Sequence, residues 1–161
     1  MDRLSYIAEK VIGYYAVNPP TAGQIMHTQS VAHFTRLISD GDEMQELAAW
    51  LHDIGCPPAR AKYGNSNPPH QEAEGKLLVH EWLDEDSLFT QEEVKWLADA
   101  VGGHHRLTEA KRLHFEPLYE ADLIVNLFEG YYPMEDAKRF VESGAVSTTK
   151  GLQLFKTLFG I

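Results

Sequence analysis

Apolar residues recur every three or four positions along most of the chain, which is the spacing of one face of an α-helix. The stripes lie at about residues 4–15, 22–39, 43–54, 71–84, 91–103, 117–128 and 150–159. Thr90 and Glu93 form a capping-box pattern at the start of one stripe, and Pro133 can open a further short helix. No segment alternates convincingly between apolar and polar residues. The pattern predicts an all-α fold of about seven helices in one compact domain, residues 1–161.

Proline and glycine mark the predicted helix ends. Asn18 to Pro20 end the first helix, and Asp42 is placed to cap the third. That third helix should end near Gly55, because the prolines at 57 and 58 prevent its continuation. Residues 56–69, rich in Pro, Gly, Asn and Ser, are predicted to form a loop. A loop of this length inside a compact domain is often functional.

Composition and charge restrict the possible partners. The 161 residues are 43% hydrophobic and carry a formal charge of −10, which argues against binding to a nucleic-acid backbone or an anionic membrane surface. No apolar run approaches the ~18 residues that a membrane span needs, and we see no secretory signal core at the N-terminus. The single cysteine, Cys56, excludes an internal disulfide. We therefore expect a cytoplasmic protein.

Several ionisable residues interrupt the apolar faces of the predicted helices. They are His27, His52, Asp53, His104, His105 and Asp122. A buried carboxylate without a partner costs several kcal/mol, and no lysine or arginine lies within eight residues of Asp122. A divalent metal would explain the whole set, and the negative end of the helix before His52 favours a cation. Because all the ligands are N or O donors, Mn, Fe, Co, Ni or Mg is favoured, and Zn also fits.

Four segments carry a family resemblance: 27-HTQSVAHF-34, 50-WLHDIG-55, 103-GHH-105 and 121-ADLIVNL-127. Together, over residues 27–127, they resemble the HD superfamily of metal-dependent phosphohydrolases. The resemblance implies that His27, His52, Asp53 and Asp122 bind one metal ion. His33 lies about 120° further round its helix than His27, and we interpret it as structural.

The resemblance also implies a second metal in some branches of the superfamily. Asp53 would then bridge two ions, and His104 and His105 fit the second set of ligands. The expected middle-loop histidine is displaced by one position, because Gln71 holds its place four residues before Gly75. His70 is therefore a shifted ligand, an outer-shell group or a simple loop residue. Glu72 and Glu74 are alternative ligands in the same segment.

The implied chemistry is hydrolysis of a phosphoester of a small molecule, nucleotide-like in character. Metal ions make bound water acidic and polarise a phosphate oxygen. Asp53 would position or deprotonate the attacking water. Arg60, Lys62 and Arg106 are candidates for binding the substrate phosphate, although each is equally well explained as a solvated surface cation.

Two other functions use the same features. A di-iron oxygenase would have an overlapping ligand set, and it differs in requiring O₂. A non-catalytic regulatory domain would bind metal or nucleotide and act through a partner. Tyr131, Tyr132, Phe155 and Phe159 are either core residues or an interface, so a homo-oligomer is compatible with the sequence.

Overall fold

A computed structural model describes residues 2–161, and these form ten α-helices and no β-strand. The helices are α1 (Arg3–Ala16), α2 (Thr21–Ile38), α3 (Glu43–Leu51), α4 (Cys56–Tyr63), α5 (Pro68–Leu83), α6 (Gln91–Val101), α7 (Leu107–Leu113), α8 (Glu116–Phe128), α9 (Asp136–Glu142) and α10 (Thr149–Phe159). The all-α prediction is confirmed. The number of helices is larger than the roughly seven expected from periodicity.

One extra helix, α4, replaces most of the predicted loop at 56–69. Its prolines lie in the first helical turn, where backbone N–H groups have no helical partner to lose. Gly64, in the left-handed conformation with φ 75°, ends the helix. The prolines therefore start a helix here, and only residues 64–67 remain as a connection.

The other unpredicted helix, α7, directly follows the double histidine. It has seven residues, which is too short to show a clear apolar period. His114, with φ 62°, ends it in the left-handed conformation. The capping box of Thr90 and Glu93 is present at the start of α6, as predicted. The helix expected at Pro133 begins three residues later, at Asp136.

The core brings together the elements that carry the ionisable residues. α2 packs against both α3 and α8, and α3 also contacts α1 and α6. Val31, Leu47, Leu51 and Ile124 are fully buried in the shared apolar cluster. Phe155 is also fully buried, so it belongs to the core. Among the described residues, no helix combines the length and the apolar character that a membrane crossing needs.

Candidate metal centre

Four of the predicted metal ligands lie together where α2, α8 and the turn after α3 meet. Nε2 of His27 is 3.2 Å from Oδ1 of Asp122 and 3.3 Å from Oδ2 of Asp53. The Nε2 atoms of His27 and His52 are 3.3 Å apart. Nε2 of His52 lies 3.4 Å from Oδ2 of Asp53 and 3.5 Å from Oδ1 of Asp122. The fold thus gathers two imidazoles and two carboxylates around one point.

These separations suit the ligands of a single metal ion. Bonds of about 2.0–2.2 Å to nitrogen and carboxylate oxygen place neighbouring ligand atoms about 3.0–3.5 Å apart. His52 is fully buried, and the side chains of His27, Asp53 and Asp122 are only 9–13% exposed. The four residues are therefore within range to hold a metal ion.

Two buried carboxylates on α8 differ in the groups that compensate their charge. Glu120 is fully buried, and it accepts hydrogen bonds from the backbone N–H groups of Ser147 at 2.9 Å and Thr148 at 3.1 Å. Oδ1 of Asp122 is also buried, but it has no hydrogen-bond partner of good geometry. A carboxylate oxygen in this position loses solvation, and a cation must compensate it: either the protonated imidazoles of His27 and His52 or a metal ion that replaces their protons.

Contacts behind the histidines fix which ring nitrogen faces the cluster. Nδ1 of His52 lies 2.6 Å from the carbonyl oxygen of Ala49, and Nδ1 of His104 lies 2.7 Å from that of Val101. Because a carbonyl oxygen can only accept, each Nδ1 carries the proton and donates it. In the neutral ring, Nε2 is then left with its lone pair towards the cluster, as a metal ligand requires.

A second cluster adjoins the first and shares Asp53. Oδ1 of Asp53 lies 3.4 Å from Nε2 of His104, while Oδ2 of Asp53 faces His27 and His52. Ligand atoms of Asp53, His104 and His105 all lie within 4.8 Å of one another. The backbone N–H of His105 donates to Oε2 of Glu72 at 3.1 Å, which anchors the double histidine to α5. Asp53 thus presents one carboxylate oxygen to each cluster, and its role as a bridging ligand stays a prediction.

The charges of the cluster stabilise one another strongly. Burial lowers the pKa of His27 and His52, but the carboxylates of Asp53 and Asp122 outweigh burial and raise these pKa values to about 11 and about 10. Burial acts to raise the pKa of both carboxyls, and the facing imidazoles nevertheless hold each pKa well below its usual range. Burial lowers the pKa of His104, which keeps this imidazole neutral. The cluster thus offers ionised carboxylates beside imidazoles whose protons a divalent cation can replace.

The clusters form part of the wall of a cavity of about 670 Å³. Of the three predicted substrate cations, the structure brings only Arg60 into this wall. Nζ of Lys62 instead lies 2.7 Å from Oε1 of Glu74, outside the cavity. Arg106 donates to the carbonyl oxygen of Gly102 at 2.9 Å.

The structure does not bring His70 into either cluster. Its ring stacks on Tyr63 with centroids 4.0 Å apart, and its Nδ1 lies 3.1 Å from Oδ1 of Asn65. Gln71 lines the cavity instead, with Nε2 3.5 Å from Nε2 of His105. Successive residues on a helix point about 100° apart, so a shift of one position turns the side chain away from the site.

Two contacts in the site were missed from the sequence. Oε1 of Glu129 lies 2.5 Å from Nδ1 of His27, and Nε2 of Gln24 donates to Oδ2 of Asp53 at 3.1 Å. A signal for both existed: Glu129 is seven residues after Asp122, and Gln24 is three before His27. Each spacing places the pair on one helix face.

We expect Glu129→Ala to weaken metal binding about 10- to 100-fold, because the carboxylate orients His27 and increases the basicity of its other nitrogen. Competition with a chromophoric chelator measures the dissociation constant. Glu135→Ala removes an exposed carboxylate close in sequence and should leave the constant unchanged. Equal affinities for the two variants would contradict the role of Glu129.

No protein-family model, no curated protein and no solved structure matches this chain. The conclusion at this stage therefore rests on the geometry. Residues 2–161 form an all-helical fold in which His and Asp side chains from α2, α8 and the turns after α3 and α6 lie within range to hold a metal ion.

Proposed function

We propose that the chain is a metal-dependent phosphohydrolase of the HD type, which cleaves a phosphoester of a small, nucleotide-like molecule. The observation that carries the proposal is the convergence of His27, His52, Asp53 and Asp122 beside a cavity. Along the chain these residues occur as His, then His-Asp, then Asp, which is also their order in the H…HD…D pattern of the HD superfamily.

The proposed cofactor is one or two divalent ions of Mn, Fe, Co, Ni, Mg or Zn. His27, His52, Asp53 and Asp122 would hold the first, and Asp53, His104 and His105 would hold the second. A divalent ion there would make water more acidic and polarise a phosphate oxygen. Oδ1 of Asp122, which has no hydrogen-bond partner, and the Nε2 atoms of His52 and His104, which face the clusters, support this choice of ligands.

Side chains of the cavity wall would position the attacking water and bind the substrate. We assign Asp53 to the attacking water, which its carboxylate positions or deprotonates. Gln24 donates to Oδ2 of Asp53 and so fixes the plane of that carboxylate. Arg60 is the residue we assign to the substrate phosphate, because a guanidinium binds phosphate oxygens in pairs.

The first test is hydrolysis of p-nitrophenyl phosphate by the metal-loaded protein and by Asp53→Ala. We expect kcat/KM to fall by roughly three orders of magnitude or more, because the variant loses both a ligand and the group at the water. Asp84→Ala, which removes an exposed carboxylate, serves as the control. Thermal denaturation checks that the variants are folded. Full activity of Asp53→Ala would overturn the catalytic proposal.

The same assay separates hydrolysis from oxygenation. A phosphohydrolase forms its product equally well without O₂, because water is the only co-substrate. An oxygenase with the same ligands stops when O₂ is removed. Product formation that requires O₂ would therefore replace the hydrolase proposal with the oxygenase alternative.

A further inference from the structure

The cavity beside the two clusters has chemically distinct parts, and these indicate a class of substrate. One part is formed by α4 and contributes a cation. Another is formed by α8 and the residues after it, and contributes aromatic rings and an amide. The volume of about 670 Å³ lies within the range of about 300–1,000 Å³ typical of small-molecule sites.

Arg60 is the only lysine or arginine that lines the cavity within residues 2–161. Its Nη2 atom is inaccessible to solvent and has no hydrogen-bond partner. The hydrogen-bonding capacity of this guanidinium is thus not used within the protein, and the Arg60 side chain lines the cavity, where an anionic ligand can accept from it. Arg60 lies one helical turn after Cys56, which also lines the cavity and is three residues from Asp53.

The charge of the cavity limits how many phosphates it can take. The carboxylates of Asp53, Asp122 and Glu129 also line the wall, against the single guanidinium of Arg60. One guanidinium and the metal cluster can balance one phosphate group. A second or third phosphate would bring further negative charge beside these carboxylates without another cation to compensate it.

Three tyrosines line the cavity on the α8 side: Tyr119, Tyr131 and Tyr132. The rings of Tyr131 and Tyr132 meet edge to face, with centroids 4.9 Å apart. Tyr119 lies three residues before Asp122 on α8, so the two side chains project from one helix face, and both line the cavity. Such surfaces bind planar rings by stacking and edge contacts.

Asn126 adds a polar group to this aromatic wall. It lies four residues after Asp122 on α8, so both side chains project from one helix face, and it lines the cavity. Its amide offers a donor and an acceptor together. A heteroaromatic ring with both kinds of group on its edge complements an amide, whereas an alkyl chain does not.

We infer that the cavity takes a phosphomonoester that has one phosphate and a planar heteroaromatic group, as a nucleoside monophosphate has. Arg60 binds the phosphate, and Tyr119, Tyr131, Tyr132 and Asn126 contact the ring. The inference rests on the proposed function for the position of the reacting phosphate. In the reaction, the oxygen of water bonds to phosphorus, the ester P–O bond breaks, and the departing alcohol oxygen takes a proton. The products are a nucleoside and orthophosphate.

The test compares AMP, ADP, ATP and glycerol phosphate as substrates of the Mn²⁺-loaded protein. We expect kcat/KM for AMP to exceed that for glycerol phosphate at least about tenfold, given the strength of base stacking on aromatic side chains. We also expect it to exceed the values for ADP and ATP, because the cavity has no further cation for their additional phosphates. Equal or higher values for ADP or ATP would overturn the single-phosphate inference. Equal kcat/KM values for AMP and glycerol phosphate would overturn the inference that the cavity binds a planar heteroaromatic group.

Variants of Arg60 and Tyr131 test which part of the cavity binds the phosphate and which part contacts the ring. Tyr131→Leu should reduce kcat/KM for AMP several-fold more than for glycerol phosphate. Tyr131 is 70% exposed, so the substitution should leave the fold intact. Arg60→Gln should raise KM for both esters. Tyr63→Leu and Arg36→Gln, whose side chains lie outside the cavity, are the matched controls. Equal losses on both esters for Tyr131→Leu would contradict the ring contact.

A binding experiment keeps this inference separate from the proposed function. Isothermal titration with a nucleoside phosphonate, whose C–P bond resists hydrolysis, measures binding without turnover. Tighter binding than propyl phosphonate supports the aromatic subsite even if no ester is hydrolysed, an outcome that would overturn only the hydrolase proposal. No preference for the nucleoside phosphonate would overturn the inference, whatever the activity.

Discussion

Asp122→Asn is expected to abolish tight metal binding while the chain stays folded. Asparagine has nearly the same shape as aspartate, but it lacks the negative charge that faces His27 and His52 at 3.2 and 3.5 Å. Metal analysis of protein purified without chelator should give at least about one ion per wild-type chain and less than about 0.1 per variant chain.

Thermal denaturation provides an independent measure of the same loss. A ligand at about 100 times its dissociation constant stabilises the folded state by about 2.7 kcal/mol, so chelation should lower the Tm of the wild type. The Tm of Asp122→Asn should not respond to metal or chelator. Glu116→Gln removes one charge from the same helix, outside the cluster, and should behave as the wild type. Full metal content in Asp122→Asn would refute the assignment of this residue as a ligand.

The cluster of histidines and aspartates was the most predictable part of the molecule. A carboxylate such as Asp122, set among apolar helical residues without a nearby lysine or arginine, requires a cation from elsewhere in the fold. The sequence could not show that the cation site is built by α2, α8 and the turn after α3. The structure brings His27, His52, Asp53 and Asp122 together through contacts of 3.2–3.5 Å, within range to hold a metal ion, and metal binding itself stays a prediction.

The cavity wall was much less predictable, because side-chain direction depends on the exact local structure. Residues 56–63 were interpreted as loop, and a loop gives no rule for which side chains share a face. In α4, Arg60 and Lys62 are two positions apart and therefore point about 200° apart, so only one reaches the cavity. The same sensitivity separates His70 from Gln71.

Gly55 has a different role from the one its sequence context indicates. We expected it to end a helix, a position where glycine commonly takes a left-handed conformation. Its φ is −74°, which any residue can adopt. The backbone of α5 instead packs directly on this turn: a Cβ on Gly55 would lie 1.9 Å from the carbonyl oxygen of Gln71 and 2.5 Å from the backbone nitrogen of Gly75. Gly55 is therefore required by the close approach of two backbones.

Gly55→Ala is accordingly expected to destabilise the protein by at least about 3 kcal/mol, because neither backbone atom can move aside by a rotamer change. For a chain of this size, that corresponds to a decrease in Tm of about 6–12 °C. The same displacement of α5 would move Gln71 and Glu72 relative to His105, so metal affinity should fall as well. Denaturant unfolding and chelator competition measure the two effects.

Gly13→Ala is the matched control, since it makes the same substitution in an exposed helical position with no atom within 4 Å of the new Cβ. It should stabilise the protein by up to about 1 kcal/mol, because alanine has less conformational freedom to lose than glycine. If Gly55→Ala were as stable as Gly13→Ala, the turn and α5 could not be in backbone contact. The second cluster depends on the same backbone contact. This contact positions α5, which carries Glu72, and Glu72 accepts a hydrogen bond from the backbone N–H of His105.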